Sequence, residues 1–226
     1  MTTCEYKTVN VDISDRIAKV TLNRPDQKNA MSPQLHRDMT AVLEKIRYDD
    51  EIKVVVLTGA GNSFCAGMDL KEYFQALKGK DPAEYDRVTR MAVEWRGRTL
   101  RYFPKPTIAM INGYCFGGAF AIIEGCDLAV AAHEAKFGLS EINFKTFPAG
   151  AVSKAMANTM HSRDALLYAM TGRTFNGQQA AEMKLVNFSV PLAELEQETM
   201  ALAREIERKD AAAIKACKDA SNSRSK

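Results

Sequence analysis

The sequence predicts an α/β fold, and three observations lead there. Two alternating runs near the start read as paired strands, short apolar runs further on alternate with stripes of helical period, and the unusual glycines collect at two strand-to-helix junctions. With 226 residues, 46% of them hydrophobic, the chain can bury a sizeable core and lies outside the disordered and fibrous classes.

In chain order, Tyr6 to Ile13 and Arg16 to Asn23 alternate around Ser14-Asp15, as the strands of a hairpin do. Ser32 is placed to cap a helix with Pro33 at its first position, and Leu35, Met39, Val42, Leu43 and Ile46 form its apolar stripe. Lys53 to Leu57 reads as a buried strand running into a Gly-rich loop, Thr58 to Gly67. Asp69 to Leu77 then reads as helical. A longer helix carries Tyr85, Val88, Met91, Ala92 and Trp95 and stops before Pro104 and Pro106. Strand Thr107 to Ile111 leads into a second Gly-rich stretch, a short apolar helix and a strand from Asp127 to Ala132. Beyond Gly150 the pattern is nearly all helical. Residues 1–190 are expected to form the core domain and 191–226 a helical C-terminal region. From Arg208 that region carries six basic residues against Asp210 and Asp219, and it ends in a tail of disordered composition.

Composition excludes several functions. The net charge of +3, from 31 basic and 28 acidic residues spread along the chain, points to no nucleic-acid or membrane partner. Met1 to Asp15 lacks an apolar h-region and no run approaches the ~20 apolar residues of a membrane span, so a cytoplasmic location is expected. Five cysteines with no CxxC pair argue against a disulfide framework or a zinc site, and reduced, mostly buried thiols are expected. His36, His133 and His161 lack metal-ligand spacing, Gly59-Ala-Gly61 lacks the third glycine of a dinucleotide fingerprint, and neither a Walker lysine nor a Gly-x-Ser-x-Gly elbow occurs. No internal repeat is visible.

The glycine junctions, at residues 66–70 and 113–120, carry the chemistry. The first backbone N–H groups of a helix have no internal partner and the helix dipole favours negative charge there, so two such junctions side by side can offer two donors to one anionic oxygen. Aimed at a thioester oxygen, they would stabilise an enolate. Either motif alone is better explained by glycines that let a helix pack closely on a strand, and it is the two together, in this order, that are specific.

Ser63-Phe-Cys-Ala-Gly-Met-Asp-Leu70 and Asn112-Gly-Tyr-Cys-Phe-Gly-Gly-Ala119 resemble, in order and separation, the two oxyanion-hole signatures of the crotonase superfamily. Leu22-Asn-Arg-Pro25, Lys28-Asn-Ala-Met31, Cys126-Asp-Leu-Ala129, Phe137-Gly-Leu-Ser-Glu141 and Thr171-Gly-Arg173 extend the resemblance over residues 5 to about 205. It implies the crotonase (ClpP-like) fold of ββα spiral repeats with a helical C-terminal region. It also implies that the N–H groups of Met68 and Gly118 hold the thioester oxygen, that the Lys28 and Ala66 regions line the coenzyme A site, and that Glu141 is the acid/base. Simple enoyl-CoA hydratases place a second glutamate where this chain has Ala121. Glu124, one turn further on, is expected to cap or pair on its own short helix rather than substitute for it.

Within the superfamily, Lys28 to Pro33, Ala66 to Phe74, Cys115 to Gly118, Phe137 to Asn143 and Val152 to Ala157 look like the p-hydroxycinnamoyl-CoA hydratase-lyases, which convert feruloyl-CoA to vanillin. The implied reaction is hydration of the acyl double bond followed by retro-aldol release of an aromatic aldehyde and acetyl-CoA. No cofactor or metal is called for, since the coenzyme A thioester is the substrate. Tyr73 would meet the ring hydroxyl, and Gly67, Leu70, Gly117, Ala121 and Phe144 would line the substrate site. The family implies a homotrimer or a dimer of trimers. Three departures stand out: Ala121 replaces a family serine, Phe144-Lys-Thr-Phe-Pro148 replaces an aromatic residue followed by Gly-Ile-Pro-Pro, and the sequence stops at Lys226 where relatives continue for several tens of residues. Two alternatives stay open at this stage: an enoyl-CoA hydratase or isomerase acting on another acyl-CoA, and a non-catalytic CoA-binding homologue.

Overall fold

The computed structural model describes residues 6–75 and 81–223. The chain opens with the expected hairpin, β1 (Val9–Ser14) and β2 (Ile17–Leu22), paired antiparallel with Ser14 opposite Ile17. The turn is Asp15-Arg16, one residue later than the sequence suggested. Both residues have positive φ, 49° and 63°, the conformation of the two-residue turn that matches strand twist. Helix α1 (Pro33–Arg47) starts as expected, with Ser32 Oγ accepting the Leu35 N–H at 3.2 Å, and its buried stripe includes Leu35, Met39, Val42, Leu43 and Ile46.

From there the chain repeats one unit: a strand in a large sheet, a short strand in a small sheet, then a helix. The first unit is β3 (Val54–Gly59), β4 (Ser63–Cys65), a π-helical segment Leu70–Gln75, and α2 (Pro82–Val93), which continues as a second π-helical segment, Glu94–Thr99. The second is β5 (Thr107–Ile111), β6 (Tyr114–Phe116) and α3 (Phe120–Gly125), entered through a 3-10 turn Gly117–Ala119. The third is β7 (Leu128–Ala132), β8 (Lys136–Gly138), a 3-10 turn Glu141–Phe144, α4 (Ala151–Thr159) and α5 (Ser162–Thr171). The chain closes with β9 (Thr174–Asn176), α6 (Gly177–Glu182), β10 (Phe188–Val190), α7 (Leu192–Glu207) and α8 (Ala211–Ser223). This is the ββα spiral.

The large sheet runs β1-β2-β3-β5-β7-β10, parallel from β2 onward, and the small one β4-β6-β8-β9, parallel except for β9. Residues 54–57 of β3 are all buried, as a parallel strand covered on both faces requires. Helix α7 packs across β2, β3, β5, β7 and β10. Two expectations need correction. The region beyond Gly150 contains β9 and β10, strands that exist through pairing with β8 and β7 rather than through local pattern. The tail that reads as disordered is helical to Ser223. It is fastened by Lys218 Nζ to Asp127 Oδ2 at 2.7 Å and by Asn222 Nδ2 to the Arg101 carbonyl at 2.9 Å, while residues 224–226 lie outside the described residues, as do Cys4 and Leu77. No helix among the described residues is long and apolar enough to cross a membrane.

Candidate active site

The two glycine junctions meet. Gly67 has a φ of +92°, and a side chain there would begin 2.8 Å from the Phe116 carbonyl oxygen and 3.2 Å from the Gly118 nitrogen. Only glycine permits both that backbone angle and that approach. Met68 follows directly. Its neighbours are fixed by a parallel bridge to Met31, with Met31 N–H on the Gly67 carbonyl at 2.8 Å and Asp69 N–H on the Met31 carbonyl at 3.1 Å. The Met68 N–H has no acceptor among the described residues. Gly118 lies in the first turn of its helix, where an N–H has no helical partner. Two adjoining backbone donors are thus left over, an arrangement that can hold an anionic oxygen.

The segment beneath them is built by Arg24, Asn29 and Asp69, which lie in the family motifs but carry no role that local sequence signals reveal. Asn29, fully buried with φ 56°, accepts the Arg24 N–H at 2.8 Å and donates to the carbonyls of Ser63 at 2.7 Å and Ala60 at 2.9 Å. Arg24 reaches Asp69 at 2.8 Å and Glu72 at 2.7 Å. Asp69 in turn accepts N–H bonds from Lys71 and Glu72 at the start of the π-helical segment. Burial pushes the Asp69 carboxyl up, but these hydrogen bonds and the Arg24 charge outweigh it and hold the group below the usual carboxylate range. Asn112 ties the second junction to the first by donating to the carbonyls of Gly59 and Gly61 at 2.8 and 2.9 Å.

Glu141 comes to the same place from the third unit. A side chain on Gly117, whose φ is +48°, would begin 2.9 Å from Glu141 Oε1. Glu141 Oε2 is buried and has no hydrogen-bond partner among the described residues. Burial pushes this carboxyl above its ordinary 4.5, with a bond from its own backbone N–H opposing. Glu124 behaves differently: its carboxylate is paired with Arg101 and accepts from Asn158 Nδ2 at 2.7 Å, so its partners come from the segment after α2 and from α4 rather than from its own helix as expected.

Tyr73 is buried with Val88 and Ala92, against Met68, and its hydroxyl is 3.0 Å from Thr89 Oγ1. Lys28 is exposed, with φ 49°, and its ammonium sits 4.1 Å from the Tyr114 ring centre, while its carbonyl accepts the Ala66 N–H at 2.9 Å. Leu70 and Phe144 are exposed, 60% and 68%, whereas Ala121 lies in the buried face of α3. The structure therefore brings together Met68, Gly67, Gly117, Gly118, Glu141 and Tyr73, with Lys28 and Ala66 adjoining. A cavity of about 520 Å³ lies elsewhere, beside α8, bounded by Arg101, Glu124, Asp127 and Lys218, and includes none of them. Among the described residues no cluster of histidine, cysteine and carboxylate could hold a metal. Cys65 and Cys115 are buried and Cys217 is exposed, and burial pushes the Cys65 thiol up to about 11.

Residues 12–226 match the family model for enoyl-CoA hydratase/isomerase. The chain belongs to that family. Over 213 residues this enoyl-CoA hydratase/isomerase family member is 52% identical to the hydroxycinnamoyl-CoA hydratase-lyase of Pseudomonas fluorescens, spanning 94% of this chain and 77% of that protein. The crystal structure of an enoyl-CoA hydratase from Bacillus anthracis superimposes with a TM-score of 0.87 at 30% identity, covering 96% of this chain and 83% of that one. An enoyl-CoA hydratase from Mycobacterium smegmatis gives 0.85 at 26% identity, covering 94% and 81%. The large and small sheets and the helices around them are therefore the crotonase fold.

Proposed function

We propose that this family member is a lyase that hydrates a p-hydroxycinnamoyl-CoA thioester and cleaves the adduct to an aromatic aldehyde and acetyl-CoA. One observation carries the reading: Glu141 brings a carboxylate with an unpartnered oxygen against Gly117, beside the two leftover donors, while Glu124 is tied to Arg101 and Asn158. A site with one free carboxylate suits a substrate whose own para-hydroxyl pushes electrons through the ring. Identity of 52% to the Pseudomonas fluorescens enzyme supports the same substrate class.

In this mechanism Glu141 takes a proton from water as the water oxygen bonds to the β-carbon, and the thioester becomes an enolate whose oxygen is held by the Met68 and Gly118 N–H groups. Proton return to the α-carbon gives the β-hydroxy thioester. Removal of the β-hydroxyl proton then breaks the bond between the α- and β-carbons, releasing the aldehyde and the enolate of acetyl-CoA, which takes up a proton. A carboxyl whose pKa is raised by burial is suited to both directions of transfer. Tyr73 meets the ring hydroxyl, Lys28 and Ala66 border the coenzyme A, and Gly67, Leu70, Gly117, Ala121 and Phe144 shape the remaining wall. The thioester is the substrate and no further cofactor takes part. The same reading carries a cytoplasmic location and assembly as a trimer or a dimer of trimers.

The test is incubation of the purified protein with 4-coumaroyl-CoA, feruloyl-CoA and crotonyl-CoA, following thioester absorbance and aldehyde. Aldehyde from the two aromatic esters that disappears in Glu141→Ala is the expected result. Hydration of crotonyl-CoA without aldehyde from either aromatic ester would overturn the assignment in favour of a simple hydratase.

A further inference from the structure

Arg96 is a buried cation with no carboxylate partner among the described residues. It lies on the π-helical segment after α2 and is 5% exposed. Its Nε donates to the Ala92 carbonyl at 2.7 Å and its Nη1 to the Gly118 carbonyl at 3.2 Å. No carboxylate lies within ion-pair distance of it among the described residues, whereas the other well-buried cations each have one: Arg24 has Asp69, Arg101 has Glu124 and Lys218 has Asp127. Burying an unpaired charge costs free energy, so its persistence calls for a function.

Its position suggests which. A side chain on Gly118 would begin 3.1 Å from Arg96 Nη1 and 3.3 Å from Met68 Cγ, so the guanidinium sits at the meeting point of the two residues whose N–H groups are left over. Its ionisable neighbours among the described residues are not carboxylates. His36 is held neutral at neutral pH, its pKa pushed down to about 3 by burial and by the charges of Arg96 and Arg37, and the Cys65 thiol stays protonated. Tyr73 is the remaining ionisable neighbour.

We infer that Arg96 is a positioning residue that acts through Gly118, supplying a fixed positive potential that favours negative charge on the thioester oxygen held at Met68 and Gly118. This rests on the enolate-holding role proposed above. The charge does not touch substrate. Pre-oriented in a site of low dielectric, it lowers the free energy of the enolate more than that of the neutral thioester, so its effect falls on kcat rather than on KM.

The test uses the whole chain and 4-(dimethylamino)cinnamoyl-CoA, a push-pull chromophore whose absorption moves to longer wavelength when its thioester oxygen is polarised. Wild type is expected to red-shift the bound probe. Arg96→Gln keeps a donor for the Gly118 carbonyl but not the charge, and should bind the probe, lose much of the shift, and lower kcat on 4-coumaroyl-CoA by roughly 10- to 100-fold with KM little changed. Arg96→Lys should restore most of the shift at neutral pH and lose it as its ammonium deprotonates at alkaline pH, while wild type stays flat over the same range. That second variant also serves if Arg96→Gln does not fold. An unshifted probe in wild type would remove the enolate-holding site and this inference with it. A wild-type shift that Arg96→Gln retains, equal loss in Gln and Lys, or a Lys shift flat with pH would overturn the role of Arg96 alone.

Discussion

Replacing Gly67 with alanine tests whether the separation of the two junctions sets the rate. The new methyl would meet backbone, the Phe116 oxygen at 2.8 Å and the Gly118 nitrogen at 3.2 Å, and neither can swing aside as a side-chain end would. With φ at +92°, an L-residue there also carries left-handed strain of about 1–2 kcal/mol. For a chain of this size each kcal/mol moves Tm by roughly 2–4 °C, so the strain alone lowers Tm by about 2–8 °C. Relief of the contact must push the 116–118 segment away from Met68, which withdraws one donor from the shared oxygen. Losing one such donor typically costs on the order of 10²–10³ in kcat. The assays are a thermal melt and aldehyde release from 4-coumaroyl-CoA, corrected for the folded fraction. A variant that melts lower yet keeps kcat within roughly threefold would refute the claim that close approach of the junctions is what the chemistry needs.

Three other outcomes follow from the same geometry. Glu141→Gln should lower kcat by about 10²–10⁴ and raise Tm at neutral pH. The folded state disfavours the ionised Glu141, so wild-type stability declines as pH rises from 4.5 through the raised folded value, and the Tm advantage of the glutamine variant should vanish below about pH 4; an advantage independent of pH would contradict this. For the same reason the acid limb of kcat/KM should fall above the ordinary carboxylate range. Glu124→Ala leaves Arg101 buried and unpaired, costing about 3–5 kcal/mol in denaturant melts, with kcat of the folded protein unchanged; a collapse in kcat would instead make Glu124 a second catalytic carboxylate. Tyr73→Phe should weaken binding of 4-coumaroyl-CoA by roughly tenfold while sparing binding of cinnamoyl-CoA, which lacks the ring hydroxyl, and equal losses of affinity for both would remove Tyr73 from ring recognition.

What the sequence disclosed follows from how local each feature is. The Ser32 cap, the α1 stripe and strand β5 are written in neighbouring residues and were legible. Strands β4, β6, β8, β9 and β10 have three residues each, too few for an alternating pattern, and arise from pairing with distant partners. Only the family resemblance supplied the second strand of each unit. At the site, the two glycine motifs were visible because special backbone residues mark them, whereas Glu141, one carboxylate in a loop, was supplied by the family resemblance. The Arg24, Asn29 and Asp69 network was not, since its partners lie 45 residues apart in the case of Arg24 and Asp69. Arg96 resembles any solvated arginine on a helix until the packing of Gly118 against it is known.

The order of strands in the large sheet also bears on how the protein is made. β7 is complete at residue 132, but its outer neighbour β10 is not translated until residues 188–190. During the interval a nascent chain carries a paired inner sheet with one row of backbone groups open to any other extended strand. α7, which covers β3, β5 and β7, emerges later still. The final quarter of the chain therefore works as a seal for the three-quarters already built, and the period before it closes is when crowded ribosomes on one message are most exposed to edge-to-edge pairing.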